Sequence, residues 1–469
     1  MPPELTGLSD EVLSSWIADQ RWFGAKSREL AHVRVLDVVW LRAEEGDDPA
    51  LALAVVEARF PGGTHDLYQL PLACRPASAG WTDGVLQELD GRTVYDAFAD
   101  PAATAALAGL LRDRATVGED PCVEFAWVDA VLPPAEQPVV RPIGAEQSNS
   151  SVVIDDALVL KAFRRIEPGE NPELEMTRFL SARGFPHVAE LGGWYAFRGE
   201  LLDATLGVAQ RFVPDGRDGW ELVLDGLEQD PDALLPQLAA LGVVVARMHN
   251  VLASDPGDPA FCPEEPTDEA LAIMTATIDE QIERLFLDLP EDDERLAAIA
   301  GRGEQARDRL RLVSQLGGAG RLIRHHGDFH LGQTLRVADG DAGPSWIILD
   351  FEGEPARSLV ERRRKRSPLR DVAGLLRSLA YAASAARLQR GFDPPEDWEE
   401  RARRAFLDDY LAEVEPSLMP PTAAATRTLL SLMELEKAVY ELRYELDHRP
   451  DWVPIPTAAI ARLLEEPIA

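Results

Sequence analysis

The sequence has few cysteines, no long apolar run and a shortage of positive charge. Only three of its 469 residues are cysteine, and Cys74, Cys122 and Cys262 are widely separated. This spacing predicts neither a disulfide framework nor a thiolate metal site. No run of about 18 apolar residues occurs, and the N-terminal segment lacks a basic stretch followed by an apolar one. We therefore expect a soluble, cytoplasmic protein.

The shortage of positive charge limits the possible partners. The chain has 47 Lys and Arg against 81 Asp and Glu, a formal net charge of −34. Such a surface repels phosphate backbones and anionic lipids, so we expect neither nucleic acid nor a membrane as a partner. The 46% apolar and 27% charged contents are those of a folded globular protein. Its length, about three times a typical ~150-residue domain, predicts two or three structural units.

The first predicted unit, residues 1–95, is a helix followed by a β-meander. Ser9 is a suitable N-cap for an amphipathic helix, and β-branched or alternating runs predict strands over 33–43, 51–60 and 65–76. Beyond them, residues from about 85 to 130 read as short helices separated by acidic loops.

The second predicted unit, residues 96–213, has a strand, a polar turn, a strand bearing Lys161 and a helix bearing Glu173 and Glu175. The third, residues 214–469, shows mostly helical periodicity after the break at residues 214–219. The whole pattern predicts an α+β protein with a β-rich first half and a helical second half.

The densest polar cluster lies in an apolar setting over residues 324–335, followed by an apolar strand ending near Asp350. Asp328 could accept a proton from a hydroxyl nucleophile while Asp350 binds Mg²⁺, which prefers oxygen ligands. Gln333, five residues after Asp328, could add a carbonyl oxygen to the metal site. This arrangement is typical of phosphoryl transfer.

Several segments together resemble the aminoglycoside phosphotransferase-like kinases, in particular their maltokinase and glucosamine kinase branch. The matching segments are RWFGAKSREL, GAEQSNSSVV, LVLKAFRRIEPGENPELE, LGVVVARMHNVL, HHGDFHLGQTL, LDFEGEP, SPLRDVAGLLRSL and ELEKAVYELRYELDHRPDWVPIP. The resemblance implies a bilobal protein-kinase-like fold with an N-terminal cap domain, and ATP bound between the lobes.

The resemblance also implies roles for the polar cluster. Asp328 matches the residue that orients the acceptor hydroxyl for in-line attack on the γ-phosphate, and Gln333 and Asp350 match two Mg²⁺ ligands. Glu352 is a further metal ligand or a solvated side chain at the strand end.

For the nucleotide, the resemblance implies that Lys161 binds the α- and β-phosphates and is held by Glu175, with Glu173 as a competing partner. The polar turn lacks the usual glycines, so its backbone and hydroxyl groups would cover the phosphates. The strand end after Ala209 resembles the hinge that faces adenine. The ATP-binding residues predicted from these two segments are Gln147, Ser148, Asn149, Ser150, Ser151, Gln210, Phe212 and Val213.

The acceptor pocket is expected to come from the C-terminal helices. Aromatic faces pack on the C–H faces of sugars, and carboxylates accept hydrogen bonds from sugar hydroxyl groups. The predicted acceptor-binding residues are His330, Glu434, Tyr440, Glu441, Tyr444 and Trp452. The alternative for each aromatic or acid in this helix is an ordinary core or surface residue.

The hypothesis that we favour is an ATP-dependent, Mg²⁺-requiring kinase that converts glucosamine to glucosamine 6-phosphate. Maltose, phosphorylated at its anomeric hydroxyl, and cationic aminoglycosides are alternative acceptors. A non-catalytic nucleotide or sugar sensor is the alternative from another class. A metal cluster of His325, His326, His330 and Asp328 is disfavoured, because adjacent side chains in an extended segment point to opposite faces.

Overall fold

The computed structural model describes residues 4–26, 28–143, 148–200, 202–290, 293–312, 318–338 and 345–465. Contacts within the chain divide it into two units. Unit 1 comprises Met1–Ser181 and Ala189–Pro214, and unit 2 comprises Ala182–Val188 and Asp215–Ala469. The finer division at residue 95, which the sequence predicts, stays a prediction.

Unit 1 begins with a helix capped by Ser9, whose side chain accepts a hydrogen bond from the backbone N–H of Val12. Five strands follow in an antiparallel sheet of order β1-β2-β3-β5-β4, and β11 pairs with β3 as a sixth strand. One face of this sheet packs against the first helix. The elements are α1 (Asp10–Asp19), β1 (His32–Arg42), β2 (Ala50–Arg59), β3 (His65–Pro76), β4 (Val85–Leu89), β5 (Arg92–Asp96) and β11 (Arg165–Ile166).

The second sheet of unit 1 has seven strands in the order β6-β7-β12-β13-β10-β9-β8, with antiparallel pairing throughout. A core of buried aliphatic and aromatic side chains joins the two sheets and one helix. The elements are α2 (Pro101–Arg112), β6 (Thr116–Gly118), β7 (Cys122–Trp127), β8 (Val140–Pro142), β9 (Asn149–Ile154), β10 (Leu158–Phe163), α3 (Pro172–Ala182), β12 (Leu191–Arg198) and β13 (Asp203–Arg211).

Unit 2 is mainly helical, with one small three-stranded sheet of order β14-β15-β16. Its strands are β14 (Arg217–Asp218), β15 (Thr334–Val337) and β16 (Ser345–Ile348). Its helices are α4 (Gly219–Gln229), α5 (Leu235–Leu252), α6 (Asp268–Asp288), α7 (Gly303–Leu310), α8 (Leu359–Arg362), α9 (Leu369–Leu388), α10 (Trp398–Glu413), α11 (Ala423–His448) and α12 (Pro454–Glu465).

Helix α5, with the turn that precedes it, is long and apolar enough to cross a membrane: the segment Pro231–Leu252 has a mean hydropathy of 1.3. However, half of this segment is buried inside unit 2, and α5 packs closely against α10. Gly242 permits this approach, because a side chain there would collide with the backbone carbonyl of Phe406. Helix α5 is thus partly enclosed by its neighbours within unit 2.

One stretch differs from the sequence-based prediction. Residues 85–96, expected to form short helices and acidic loops, form the β4–β5 hairpin instead. Its turn is Asp90-Gly91, and both residues have positive φ angles of 51° and 72°. An Asp-Gly pair between two short apolar runs is a strong hairpin signal, which the helix-based interpretation overlooked.

Candidate active site

A buried carboxylate fixes the backbone of the loop that carries Asp328. Asp371, on the first turn of α9, accepts hydrogen bonds from the backbone N–H groups of His326 (2.8 Å) and Gly327 (2.9 Å). Gly327 has a φ of 89°, a conformation that side chains rarely permit. The loop therefore turns sharply just before Asp328, with its backbone fixed by a side chain from another element.

Asp371 is itself fixed by two further buried side chains. His249 on α5 lies with Nε2 3.0 Å from Asp371 Oδ2 and Nδ1 3.0 Å from the hydroxyl of Tyr410 on α10. Although burial by itself raises the pKa of the Asp371 carboxyl, the neighbouring His325 and His249 hold that pKa well below its usual range. The anchor is therefore ionised at neutral pH, which strengthens its hydrogen bonds to the loop.

His326 links the loop to the segment that carries Asp350. Its Nε2 lies 2.8 Å from the carbonyl oxygen of Leu349, and its Nδ1 accepts a 3.4 Å hydrogen bond from the backbone N–H of Asp328. Because Nδ1 accepts a hydrogen bond, Nε2 carries the proton and donates a hydrogen bond to the carbonyl oxygen of Leu349. His326 thus fixes the backbone of the loop that carries Asp328.

Gln333 and Asp350 lie side by side in unit 2. The Gln333 Nε2 atom is 3.1 Å from Asp350 Oδ2, and the backbone of Gln333 accepts a 2.9 Å hydrogen bond from Leu349. Asp350 follows β16 with a φ of 61°, so its side chain leaves the line of the strand. One carboxylate and one amide oxygen are hard ligands that suit Mg²⁺, which takes its other ligands from phosphate and water. Both side chains therefore fit the ion that the resemblance implies.

The alternative of a histidine-rich metal cluster receives no support. Within the described ranges, no three His, Cys, Asp or Glu side chains are grouped so that they could hold an ion. The Nδ1 of His330 accepts a 3.1 Å hydrogen bond from the backbone N–H of Gly332 and caps the short turn that contains Gln333. Burial lowers the pKa of the His330 imidazole, so the ring is neutral at pH 7. Its predicted contact with the acceptor stays a prediction.

A lysine that the sequence analysis missed lies against Asp328. The Nζ of Lys437, on α11, is 3.3 Å from Asp328 Oδ1 and 5.3 Å from the centre of the Tyr440 ring. Burial alone lowers the pKa of the Lys437 ammonium, but Asp328, Glu441 and Glu354 outweigh it and raise that pKa. The only sequence signal was the position of Lys437 one helical turn before Tyr440.

Asp328 and Lys437 line a small cavity. The other residues around it include Glu354, Arg357 and Tyr440, all from unit 2. Tyr440 is 39% exposed, and burial together with Glu354 raises the pKa of its phenol to about 12. A cavity with an aromatic face, the three carboxylates of Asp328, Glu354 and Glu436, and an ammonium group matches the hydrogen-bonding groups of a small polyhydroxyl compound.

The acidic residues of α11 lie mainly in ion pairs with arginines. Glu434 is 2% exposed and lies 2.8 Å from Arg403, while Glu441 lies 2.8 Å from Arg377. The carboxylate of Glu434 is therefore paired with an arginine inside the protein, and Glu434 is not among the residues that line the cavity beside Asp328. Its predicted acceptor role, like that of Glu441, is not tested by these contacts.

The other predicted acceptor residues lie further along the same helix and after it. Tyr444 is 42% exposed and stacks on His448 with ring centres 4.5 Å apart. Trp452 stacks on Tyr381 of α9 at 5.9 Å. Glu352 is half-buried, and its backbone carbonyl accepts a 3.1 Å hydrogen bond from Arg362. The functional roles of Tyr444, Trp452 and Glu352 stay predictions.

In unit 1, Lys161 lies on β10 with 8% of its surface exposed. It pairs in register with Ser151 on β9 and Val208 on β13, so it is in the middle of the second sheet. Glu173 and Glu175, on the first turn of α3, are both buried, and Glu173 accepts a 2.8 Å hydrogen bond from Gln210. Which glutamate holds Lys161 stays a prediction.

The predicted phosphate-covering turn is shorter than the sequence suggested. Asn149, Ser150 and Ser151 belong to β9, whereas Ser148 precedes it and Gln147 lies outside the described residues. The turn was expected to include all five residues, but strand pairing with β10 continues back to Asn149. Their predicted contacts with ATP are untested.

Arg164 connects β9 to the first sheet. It is 1% exposed, its Nε donates to the Ser150 hydroxyl at 2.7 Å, and its NH2 group lies 2.7 Å from Asp96 at the end of β5. The next two residues form β11, which pairs with β3 of the first sheet. The strand that carries Ser150 is thus tied to the N-terminal sheet by a buried ion pair.

The predicted adenine-facing segment lies where β13 ends. Gln210 is on the strand, and Phe212 and Val213 follow it, all three half-buried. The backbone N–H of Phe212 donates a 2.7 Å hydrogen bond to Ala157, beyond the last pair of the sheet. These placements are compatible with a hinge role, which stays a prediction.

Comparisons with known proteins begin at the N-terminus, where residues 16–100 match the maltokinase N-terminal cap domain. A glucosamine kinase from Streptacidiphilus jiangxiensis is 28% identical over 403 residues, which cover 83% of this chain and 87% of that protein. A glucosamine kinase from Mycolicibacterium smegmatis is also 28% identical, over 70% of this chain and 80% of its own length. This chain is similar to both glucosamine kinases over most of its length.

Solved structures agree with that relationship at the level of the fold. A glucosamine kinase in complex with glucosamine, ADP and inorganic phosphate has a TM-score of 0.67 and 22% identity, covering 96% of this chain and 99% of that one. A second crystal form of a glucosamine kinase has a TM-score of 0.69. The predicted kinase-like α+β fold with an N-terminal cap domain is therefore confirmed.

Proposed function

We propose that this glucosamine kinase homologue is a cytoplasmic, ATP-dependent kinase that phosphorylates glucosamine at the 6-hydroxyl group. The observation that carries the kinase assignment is the position of Asp328 at a polar cavity, on a loop fixed by Asp371 and joined through His326 to the Gln333–Asp350 pair. Homology to glucosamine kinases over most of the chain supports glucosamine as the acceptor.

In this proposal, Asp328 orients the acceptor hydroxyl and accepts its proton as the oxygen attacks the γ-phosphorus, while the bond to the β,γ-bridging oxygen breaks and ADP leaves. Lys437 holds the Asp328 carboxylate in position, and Glu354 and Tyr440 contact the sugar in the same cavity. Gln333 and Asp350 would hold Mg²⁺, which supplies positive charge that neutralises the phosphate oxygens. Lys161 binds the phosphates of the nucleotide.

The first test replaces Asp328 by Asn, with Asp409→Asn as the matched control at an exposed position of α10. Because the amide cannot accept the proton, we expect kcat to fall by about a thousandfold or more, while ADP binding, measured by calorimetry, stays within about threefold. The control should retain wild-type turnover. A kcat near the wild-type value in Asp328→Asn would remove the central assignment.

The acceptor is tested by steady-state ADP release with glucosamine, maltose and kanamycin on the same enzyme preparation. We expect the highest kcat/KM with glucosamine, and phosphorus NMR of the product should show a phosphate monoester at carbon 6. Saturable activity on maltose alone would show that maltose, and not glucosamine, is the acceptor. Binding of nucleotide without ADP formation from any of the three would favour the sensor hypothesis.

A further inference from the structure

Three arginines lie close to the acceptor cavity, but only two of them have acidic partners. Arg357 pairs with Glu354 at 2.6 Å, and Arg370 binds both carboxylate oxygens of Glu436 at 2.7 and 2.8 Å. Arg366 is half-buried, and its guanidinium has no hydrogen bond or ion pair with any residue in the described ranges. Arg366 therefore makes no direct ion pair with a described residue, although Glu436 and Glu361 attract it from a longer distance.

The backbone places Arg366 beside a second polar group without a partner. Arg366 and Ile323 exchange two backbone hydrogen bonds of 2.9 Å in an antiparallel bridge. In an extended segment, residues two apart share a face, so His325 lies on the same face as Ile323 and diagonal to Arg366. His325 is 7% exposed, and its Nδ1 is buried without a hydrogen bond to any described residue.

The electrostatics of this region favour an anion. Burial, reinforced by Arg370 and Arg357, lowers the pKa of the Arg366 guanidinium to about 10. Burial, with smaller contributions from Arg370 and Arg366, also lowers the pKa of His325 to about 3, although Asp371 opposes it. His325 is thus a neutral ring that can donate one N–H, next to a guanidinium that lacks a counter-ion. An oxyanion would satisfy both groups.

We propose that Arg366, together with His325 and Arg370, forms a subsite for a tetrahedral oxyanion of the phosphate class, beside the cavity that contains Asp328. The planar guanidinium presents paired donors that match phosphate oxygens. Arg357 and Arg370 line the cavity itself, so an anion at Arg366 would be next to a ligand in the cavity. The source is either free inorganic phosphate or the phosphate group of a sugar phosphate. This subsite goes beyond the proposed function, because glucosamine and ATP do not require it.

The test uses the full-length protein, saturated with ADP, and measures phosphate binding by calorimetry at constant ionic strength. We expect Arg366→Gln to weaken the binding of inorganic phosphate by about tenfold, because one charge-assisted contact is lost. Arg364→Gln changes an exposed arginine two residues before Arg366; it is the matched control and should change the affinity by less than about twofold. His325→Phe keeps a ring without an N–H donor and should weaken phosphate binding by about threefold.

Two results would overturn the subsite: wild-type protein that does not bind phosphate at millimolar concentration, or equal affinities in wild type and Arg366→Gln. Turnover of ATP and glucosamine without added phosphate should stay within about twofold in Arg366→Gln, so failure of this proposal is distinguishable from failure of the kinase assignment.

A parallel titration with glucosamine 6-phosphate identifies the source. If the sugar phosphate binds more tightly than inorganic phosphate, and this advantage disappears in Arg366→Gln, the subsite recognises a sugar phosphate. Equal affinities of the two ligands, both weakened in Arg366→Gln, identify free phosphate as the ligand.

Discussion

The loop of residues 324–335 and helix α11 are both rich in polar side chains, but these side chains have different partners in the two regions. In the loop, the side chains of Asp371 and His326 accept hydrogen bonds from backbone N–H groups. The Asp328 carboxylate faces a cavity and has Lys437 as its neighbour. On α11, the carboxylate of Glu434 is enclosed with an arginine. The availability of a carboxylate to a ligand thus depends on which partners the fold supplies, and not on its residue type.

The largest expected effect comes from removing the anchor of the loop. Asp371→Ala leaves the N–H groups of His326 and Gly327 and the ring of His249 without their buried acceptor. We expect the free energy of unfolding to fall by about 3–5 kcal/mol. Urea denaturation measures this loss, and Asp409→Ala at an exposed site should change stability by less than about 0.5 kcal/mol. A loss below 1 kcal/mol would show that the loop does not depend on Asp371.

The second-largest effect is expected at Glu434 on α11, and it tests whether this residue contributes to stability or to sugar binding. Glu434→Leu leaves Arg403 buried without its partner, so we expect a loss of about 3 kcal/mol in stability, partly recovered by adding Arg403→Met. The KM for glucosamine, measured on the folded fraction, should stay within about twofold. Asp447→Leu, at an exposed position of the same helix, is the control for stability. A tenfold rise in KM would instead support the predicted acceptor role of Glu434.

The third prediction concerns pH. The pKa of His325 is about 3 in the folded protein, below its usual value of 6.5. As the pH falls, this histidine is therefore protonated in the unfolded chain at a higher pH than in the folded protein. This contribution to stability is complete above pH 6.5 and is lost as the pH falls, with a slope of about 1.4 kcal/mol per pH unit. Denaturation between pH 6 and 4.5 should show a flatter dependence in His325→Leu. The same slope in wild type and variant would contradict the burial of a neutral ring.

A matched control for the pH measurement is His448→Leu, which changes an exposed histidine at the end of α11. It should leave the pH dependence of stability as it is in the wild type, because the buried ring of His325 is still present.

The smallest effect is expected at Lys437. Since its ion pair with Asp328 is partly exposed, Lys437→Met should change stability by less than about 1 kcal/mol. The kcat/KM for glucosamine should nevertheless fall by about tenfold, because Asp328 loses the group that positions it. Arg443→Met, also on α11 but exposed, should leave kcat/KM unchanged. Unchanged kinetics in Lys437→Met would show that this contact is incidental.

The sequence predicted the parts of the fold whose local signals are strong. The Ser9 cap and the first three strands appear within one residue of their predicted positions, and the predicted helix that bears Glu173 and Glu175 is present as α3. The β4–β5 hairpin was missed because its two strands have only five residues each, too short to show a clear period. The predicted polar turn ending at Ser151 was too long for a similar reason, since Asn149 and the serines have no clear strand preference and only pairing with β10 placed them in β9.

By itself, the sequence singled out Asp328, Gln333 and Asp350 as candidate site residues, because they lie in short motifs that resemble those of kinases. Only the tertiary structure decided which distant side chains complete that site. Lys437 contacts Asp328 although the two residues are 109 positions apart in the sequence. Asp371 and His249 lie on different helices and are hydrogen-bonded to each other next to the loop. Pairings of this kind depend on how helices pack, and no local pattern records them. The same packing encloses Glu434 with Arg403 and leaves Arg366 without an acidic partner among the described residues.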